Sequence, residues 1–226
     1  MAAMVFVWME LLYRLVYLLM LICLNGSNGF RLDGVAEGDF LGQSVSNAGD
    51  VNGDGFDDVI VGALGADPNG DESGSSYVVF GKASGFSATM DLSSLDGSNG
   101  FRLDGEARFD LSGISVSTAG DVNGDGFDDL IVGASQADLN GDRSAGSSYV
   151  VFGQASGFSA AMDLSSLDGS NGFRLDGVAE FNGSGISVST AGDVNGDGFD
   201  DVIVGAPSAG GPYGSYSGSR DRKSVV

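Results

Sequence analysis

The sequence contains no histidine, a single cysteine (Cys23) and only three prolines. Without histidine there is no imidazole for acid–base catalysis near neutral pH and no His-ligated zinc. One cysteine excludes an intramolecular disulfide. Basic residues are scarce too: Lys plus Arg number 10 against 31 Asp plus Glu, a formal net charge of −21. That balance argues against nucleic acid as a partner, since phosphates are bound by replacing counterions with Lys and Arg. Beyond the first 25 residues no apolar pattern of helical period is sustained. Glycine, by contrast, is abundant, at 39 of 226 residues. Acidity alone can serve solubility, but these acids recur at fixed positions, as hard cations with oxygen ligands require.

The recurrence is a threefold repeat. Gly-Ser-Asn-Gly-Phe-Arg-Leu-Asp-Gly begins at Gly26, Gly97 and Gly169, and Asp-Val-Asn-Gly-Asp-Gly-Phe-Asp-Asp at Asp50, Asp121 and Asp193. Turn signals divide the middle unit into four strands. These are Ile114–Ala119, Asp129–Ala134, Ser148–Phe152 and Phe173–Asp176. The second is a continuous apolar run suited to burial on both faces, and the fourth, carrying Arg174, reads as an outer edge. Phe158–Leu167 reads as loop. Four antiparallel strands per repeat predict an all-β chain of β-propeller blades. About two blades are whole, with a leading fourth strand at Phe30–Asp33 and half of a further blade, so the propeller is incomplete.

The repeats are expected to span residues 26–219. Residues 1–25 are an apolar leader, and Met4–Leu24 is long enough to cross a bilayer. No basic residue precedes Arg14 and no small-x-small cleavage site follows. The leader reads either as a signal or anchor or as a spurious start on a truncated frame. A membrane is expected as a partner only through this leader. Residues 220–226 read as a scar: the codons for Asp221–Val226 and a stop match a common sequencing adapter, and its junction base accounts for Arg220.

The chemistry-bearing motif has the spacing D-x-N-x-D-G-x-x-D. Alternate side chains at positions 1, 3 and 5 point inward, Gly at 6 permits a sharp turn, and a carbonyl serves at position 7. The expected metal ligands are Asp50, Asn52, Asp54, Phe56 (carbonyl) and Asp58 in the first copy. They are Asp121, Asn123, Asp125, Phe127 and Asp129 in the second, and Asp193, Asn195, Asp197, Phe199 and Asp201 in the third. Val61, Val132 and Val204 stand where an EF-hand has its bidentate Glu, so this is not an EF-hand. A plain Asx turn explains the Gly and Asn but not three aligned carboxylates, which repel one another without a cation. An all-oxygen flexible loop favours Ca²⁺ over Mg²⁺. Asp57, Asp128 and Asp200, at position 8, are expected to face solvent. A second acidic stretch, at Asp67, Asn69 and Asp71 and at Asp138, Asn140 and Asp142, reads as a solvated turn.

At these residues the chain resembles the FG-GAP repeat of integrin α-subunit propellers and their bacterial relatives. Phe40-Leu-Gly42 and Gly62-Ala63-Leu64 match loosely and Gly205-Ala206-Pro207 literally. The second copy departs, with Phe109 four residues before Gly113 and Ser135 after Gly133-Ala134. The resemblance implies a seven-bladed propeller with calcium in the hairpins between first and second strands, and partner binding through loops elsewhere. The function expected is a non-catalytic, secreted or cell-surface module for adhesion or for recognition of a protein or glycan. The alternative is an accessory propeller of a larger secreted hydrolase or lyase. An intracellular scaffold fits less well, because loops lacking the bidentate Glu suit the weak sites of extracellular modules.

Overall fold

A computed structural model describes residues 4–7, 24–138 and 143–209. Among them every regular element is a strand, apart from two single 3₁₀ turns. The order is β1 (Met4–Val7), β2 (Gly29–Asp33), β3 (Val45–Gly49), β4 (Asp58–Ala63), β5 (Ser75–Val79), β6 (Thr89–Asp91), β7 (Gly100–Asp104), β8 (Ser115–Gly120), β9 (Asp129–Ala134), β10 (Ser147–Val151), β11 (Ala161–Asp163), β12 (Gly172–Asp176), β13 (Ser187–Gly192) and β14 (Asp201–Gly205).

The first complete sheet is the antiparallel meander β3-β4-β5-β7 and the second repeats it as β8-β9-β10-β12. The β13–β14 hairpin begins a third. The registers are equivalent: Tyr77 lies opposite Val61 and Arg102, and Tyr149 opposite Val132 and Arg174. Strand β9 (Asp-Leu-Ile-Val-Gly-Ala) is buried at every residue. An unbroken apolar run has no solvent side, and this strand sits mid-sheet with neighbouring sheets on both faces. Innermost strands lie side by side, β3 by β8 and β8 by β13. Between the sheets, Ile60 packs with Leu130 and Val132, and Ile131 with Val202. Ile60 and Ile131 are wholly buried, each worth about 1.5–3 kcal/mol relative to exposure. The sheets thus stack in sequence order through their faces. No closed ring forms among the described residues.

The segment Phe158–Leu167, expected as loop, is structured. It runs back to the preceding sheet, where Ala161–Asp163 pairs in parallel with β7 and Leu164–Ser166 forms a 3₁₀ turn. Leu164 is buried, and Phe158 stacks on Phe101 with centroids 4.1 Å apart. Thr89–Asp91 and Phe86 do the same over β2 and Phe30. The fourth strand is therefore not an exposed edge at β2 or β7. The returning segment covers its unpaired backbone, which would otherwise invite pairing with another chain.

Met4–Val7 is a strand parallel to β2. It lies on the side of β2 that corresponds to the antiparallel third strand of the other sheets. No helix among the described residues is long and apolar enough to cross a membrane. The remainder of the expected leader and the expected scar at 220–226 lie outside the described residues.

Candidate metal centre

Each acidic loop joins the first strand of a sheet to the second. A register shift between Asn47 and Gly49, repeated at Thr118/Gly120 and Thr190/Gly192, ends the first strand in a bulge. The chain then turns through left-handed glycines, Gly53 and Gly55 at φ 72° and 87°, a conformation costly for any residue with a Cβ. Asp50 Oδ1 accepts the Asp54 N–H at 3.0 Å and Oδ2 accepts the Gly55 N–H at 2.9 Å. Asn52 Oδ1 accepts the same Asp54 N–H at 2.8 Å, and its Nδ2 donates to Asp54 Oδ2 at 3.2 Å. Asp54 Oδ1 accepts the Phe56 N–H at 2.9 Å. Asp121, Asn123 and Asp125 repeat this set. Asp193, Asn195 and Asp197 repeat its backbone part. The Gly198 N–H, chief among these bonds, holds the Asp193 carboxyl below the usual range.

The position-9 carboxylates are buried. Asp58 accepts the Val51 N–H at 3.1 Å and the Gly81 N–H at 2.8 Å, tying the loop's start to the end of the third strand. Asp129 does the same with Val122 and Gly153. Asp201 accepts from Val194 at 2.8 Å. Burial pushes the Asp58 carboxyl up to about 7. The two amide bonds oppose this, and the charges of Asp54 and Asp50 reinforce it. Asp129 is likewise pushed up to about 7, with Asp125 and Asp121 reinforcing.

The donor set fits a hard cation in its chemistry. It is all oxygen, and the side chains of Asp50, Asn52 and Asp54 share loop amides within one turn. A carboxylate oxygen holding one N–H keeps a further lone pair for a metal. Among the described residues, however, no group of three or more acidic side chains stands ready-made to hold an ion. Their oxygens are engaged by loop amides instead. Nothing described fixes the Phe56, Phe127 or Phe199 carbonyls as ligands.

Position 8 departs from the expectation. Asp128 does not face solvent: its Oδ2 accepts the Asp50 N–H of the preceding loop at 2.8 Å. Asp200 accepts the Asp121 N–H at 3.0 Å. Backbone bonds run beside them, from Asp128 N–H to Asp50 O at 3.3 Å and from Asp200 N–H to Asp121 O at 3.1 Å. The rings of Phe127 and Phe199 occupy the space that side chains on Gly53 and Gly124 would need. The physical reason is the stacking of sheets, which sets each loop against the next. Asp57, on the first loop, is exposed.

In its first copy the second acidic stretch is a turn, though not a purely solvated one: Asn69 Nδ2 donates to Gly105 O at 2.8 Å and to Asp163 Oδ2 at 2.7 Å. Asp67 accepts the Glu72 N–H, Asp138 accepts the Ser144 N–H, and Asp71 pairs with Arg108 at 2.6 Å. Asn140 and Asp142 lie outside the described residues. A residue not anticipated is Glu106, whose Oε2 accepts from Tyr149 Oη at 3.0 Å and Arg174 Nη1 at 2.9 Å. In the first sheet, Val35, Asp39, Phe40, Asp67, Tyr77 and Arg102 instead line an open cleft of about 620 Å³.

The profile of the family described as FG-GAP repeat matches residues 41–79, 112–151 and 184–219, so each match begins just before a first strand. The chain is 35% identical over 182 residues to integrin alpha-PS5 of Drosophila melanogaster, covering 78% of this chain and 16% of that protein. It is 30% identical over 187 residues to integrin alpha-V of Gallus gallus, covering 80% of this chain and 16% of the relative. It is 37% identical over 105 residues to phosphatidylinositol-glycan-specific phospholipase D of Mus musculus, covering 46% of this chain and 12% of the relative. The chain therefore spans about a sixth or less of the length of these relatives.

Proposed function

Because the chain belongs to the FG-GAP repeat family, we propose that it is part of a calcium-stiffened β-propeller serving as a non-catalytic recognition or adhesion module at the cell surface or in secreted form. The observation that supports this best is the recurrence of one loop three times with the same backbone amides bonded to the side chains at positions 1, 3 and 5. A turn needs only one carboxylate. Here positions 1, 5 and 9 are all acidic in every copy, and Asp50 and Asp54 both disfavour the ionised form of Asp58. Asp50, Asn52 and Asp54 would hold the ion, with Asp58 reached by a change of its amide contacts, and likewise in the other two loops. A bound divalent cation supplies positive charge that lets all three carboxylates ionise together.

Stacking of equivalent sheets through their faces supports continuation into a closed propeller, for which the family resemblance implies seven blades. The partner would be an extracellular protein or a glycan. A second reading, an accessory propeller attached to a secreted enzyme, draws support from the similarity to a protein named as a phospholipase D.

Thermal unfolding in calcium, in magnesium and in chelator tests the metal reading. A cation that binds only the folded loops stabilises by about 2.7 kcal/mol per site at a hundredfold excess over Kd. The expected result is a large rise in Tm with calcium, a smaller one with magnesium, and loss of the calcium effect in Asp54→Ala, Asp125→Ala and Asp197→Ala combined. Equal Tm in calcium and chelator would reduce the motif to a turn.

A further inference from the structure

The side-chain hydrogen bonds between successive loops run in one direction. Asp128 on the second loop accepts the amide of Asp50 on the first, and Asp200 on the third accepts the amide of Asp121 on the second. The donors are, on the metal reading proposed above, the first ligands of their loops. We infer that Asp128 and Asp200 are positioning residues for the loop preceding their own, so that cation binding at one loop depends on the next sheet. The amide is the only backbone donor these residues have. Fixing it fixes the direction in which the Asp50 carboxylate leaves the chain, and that carboxylate in turn gathers the amides of Asp54 and Gly55. The glycines complete the receptor. A side chain on Gly49 would collide with the Asp128 carboxylate and one on Gly53 with the Phe127 ring. Gly120 and Gly124 meet Asp200 and Phe199 in the same way. The motif therefore encodes a receptor (Gly, Asp N–H, Gly) and an insert (Phe, Asp), and each loop presents its receptor to the insert of the following loop.

Loss of a group that orients a metal ligand typically costs 10–100-fold in affinity. The test is hydrogen exchange of the full chain during a calcium titration, reading residues 48–58 and 121–129 separately. Asp128→Ala should raise the half-saturating calcium of 48–58 by roughly tenfold or more, while 121–129, which contains residue 128, keeps its own midpoint. Asp128→Asn retains an acceptor oxygen and should recover most of the loss. Asp200→Ala should shift 121–129 and leave 48–58 alone. Asp57→Ala, for which no preceding loop exists among the described residues, should shift neither. An unchanged midpoint at 48–58 in Asp128→Ala overturns the inference, as does an equal shift in both segments. No calcium response in the wild-type chain overturns the metal reading and takes this inference with it. A calcium response that Asp128→Ala leaves untouched overturns the inference alone.

Discussion

A side chain on Gly120 would stand where the carboxylate of Asp200 stands, although the two residues belong to different repeats. The equivalent glycine of the third loop, Gly192, meets nothing within 4 Å among the described residues. Both are left-handed, at φ 74° and 67°. Their backbones alone predict the same cost on substitution, so any difference reports the contact with the following loop.

Gly120→Ala should therefore destabilise more than Gly192→Ala. Each pays about 1–2 kcal/mol for an alanine in the left-handed region. Gly120→Ala also displaces a charge-assisted hydrogen bond worth about 1.5–3 kcal/mol. At about 2–4 °C per kcal/mol for a chain of this size, calorimetry should place its Tm several degrees lower. Equal Tm values would mean that the loop-to-loop contact contributes nothing.

Much of this was legible in the sequence, for reasons that differ from residue to residue. Strand β9 could be read because a run of six residues with no polar alternation has no solvent face. The internal turn of each acidic loop could be read because Asp50, Asn52 and Gly53 act over a few residues. Asp128 could not, because its partner Asp50 lies 78 residues away and periodicity treats each repeat as if it stood alone. The return of Phe158–Leu167 was missed for a related reason: its three paired residues are too short to show alternation, and its partner is the sheet before. Glu106 left no signal in the pattern because Val35 and Val178 occupy the equivalent places.

Glu106 should matter to the second sheet more than an exposed acid would. It accepts from the hydroxyl of Tyr149, a residue 1% exposed, as well as from half-buried Arg174. Glu106→Val installs the residue found at position 35 and leaves that hydroxyl without its acceptor, at a cost of about 1–3 kcal/mol. The Arg174 ion pair adds little by itself. Denaturant unfolding should show the loss in Glu106→Val, with Glu106→Gln retaining most of the stability. A Glu106→Val midpoint equal to wild type would mean that water serves the hydroxyl as well.

Asp110 gives the metal-free chain a pH dependence of predictable sign. Burial pushes its carboxyl up to about 6 against an ordinary value of 3.8. Glu106 and Asp138 add to the rise, while the Ala107 amide and Arg174 oppose it. Between those values the folded state holds more protons than the unfolded one, so this group's contribution falls as pH rises through the window. Asp110→Asn keeps an acceptor for the Ala107 N–H, a bond of 3.0 Å, and removes the charge. In chelator, Asp110→Asn should melt higher than wild type at pH 8 and equal to it at pH 4. A constant difference across that range would locate its effect in packing rather than ionisation.

The open face of the third hairpin should make this chain associate. Ile60 and Ile131 are wholly buried by the sheet that follows each, whereas the equivalent Ile203 is 48% exposed. At the same end Gly192 and Gly196 present the receptor that Gly49 and Gly53 present to Phe127 and Asp128, with no described residue seated on it. At the other end of the stack, Phe56 is 41% exposed and Asp57 is exposed beside it, an insert without a receptor among the described residues. These two surfaces are complementary but different, so contact between two copies is head to tail, and such contacts extend unless the rotation closes. Sedimentation velocity should show mass rising with concentration through the micromolar range. Ile203→Lys should suppress it by placing a charge on the apolar face, and Asp57→Ala should weaken it by removing the acceptor for the Asp193 amide. Both substitutions lie on solvent-exposed residues and should leave the Tm of the dilute chain nearly unchanged. A monomer at every concentration would show that the face of the third hairpin does not drive association. Association that ignores both substitutions would place the contact elsewhere, on the edge of β12 or the strand at Met4–Val7.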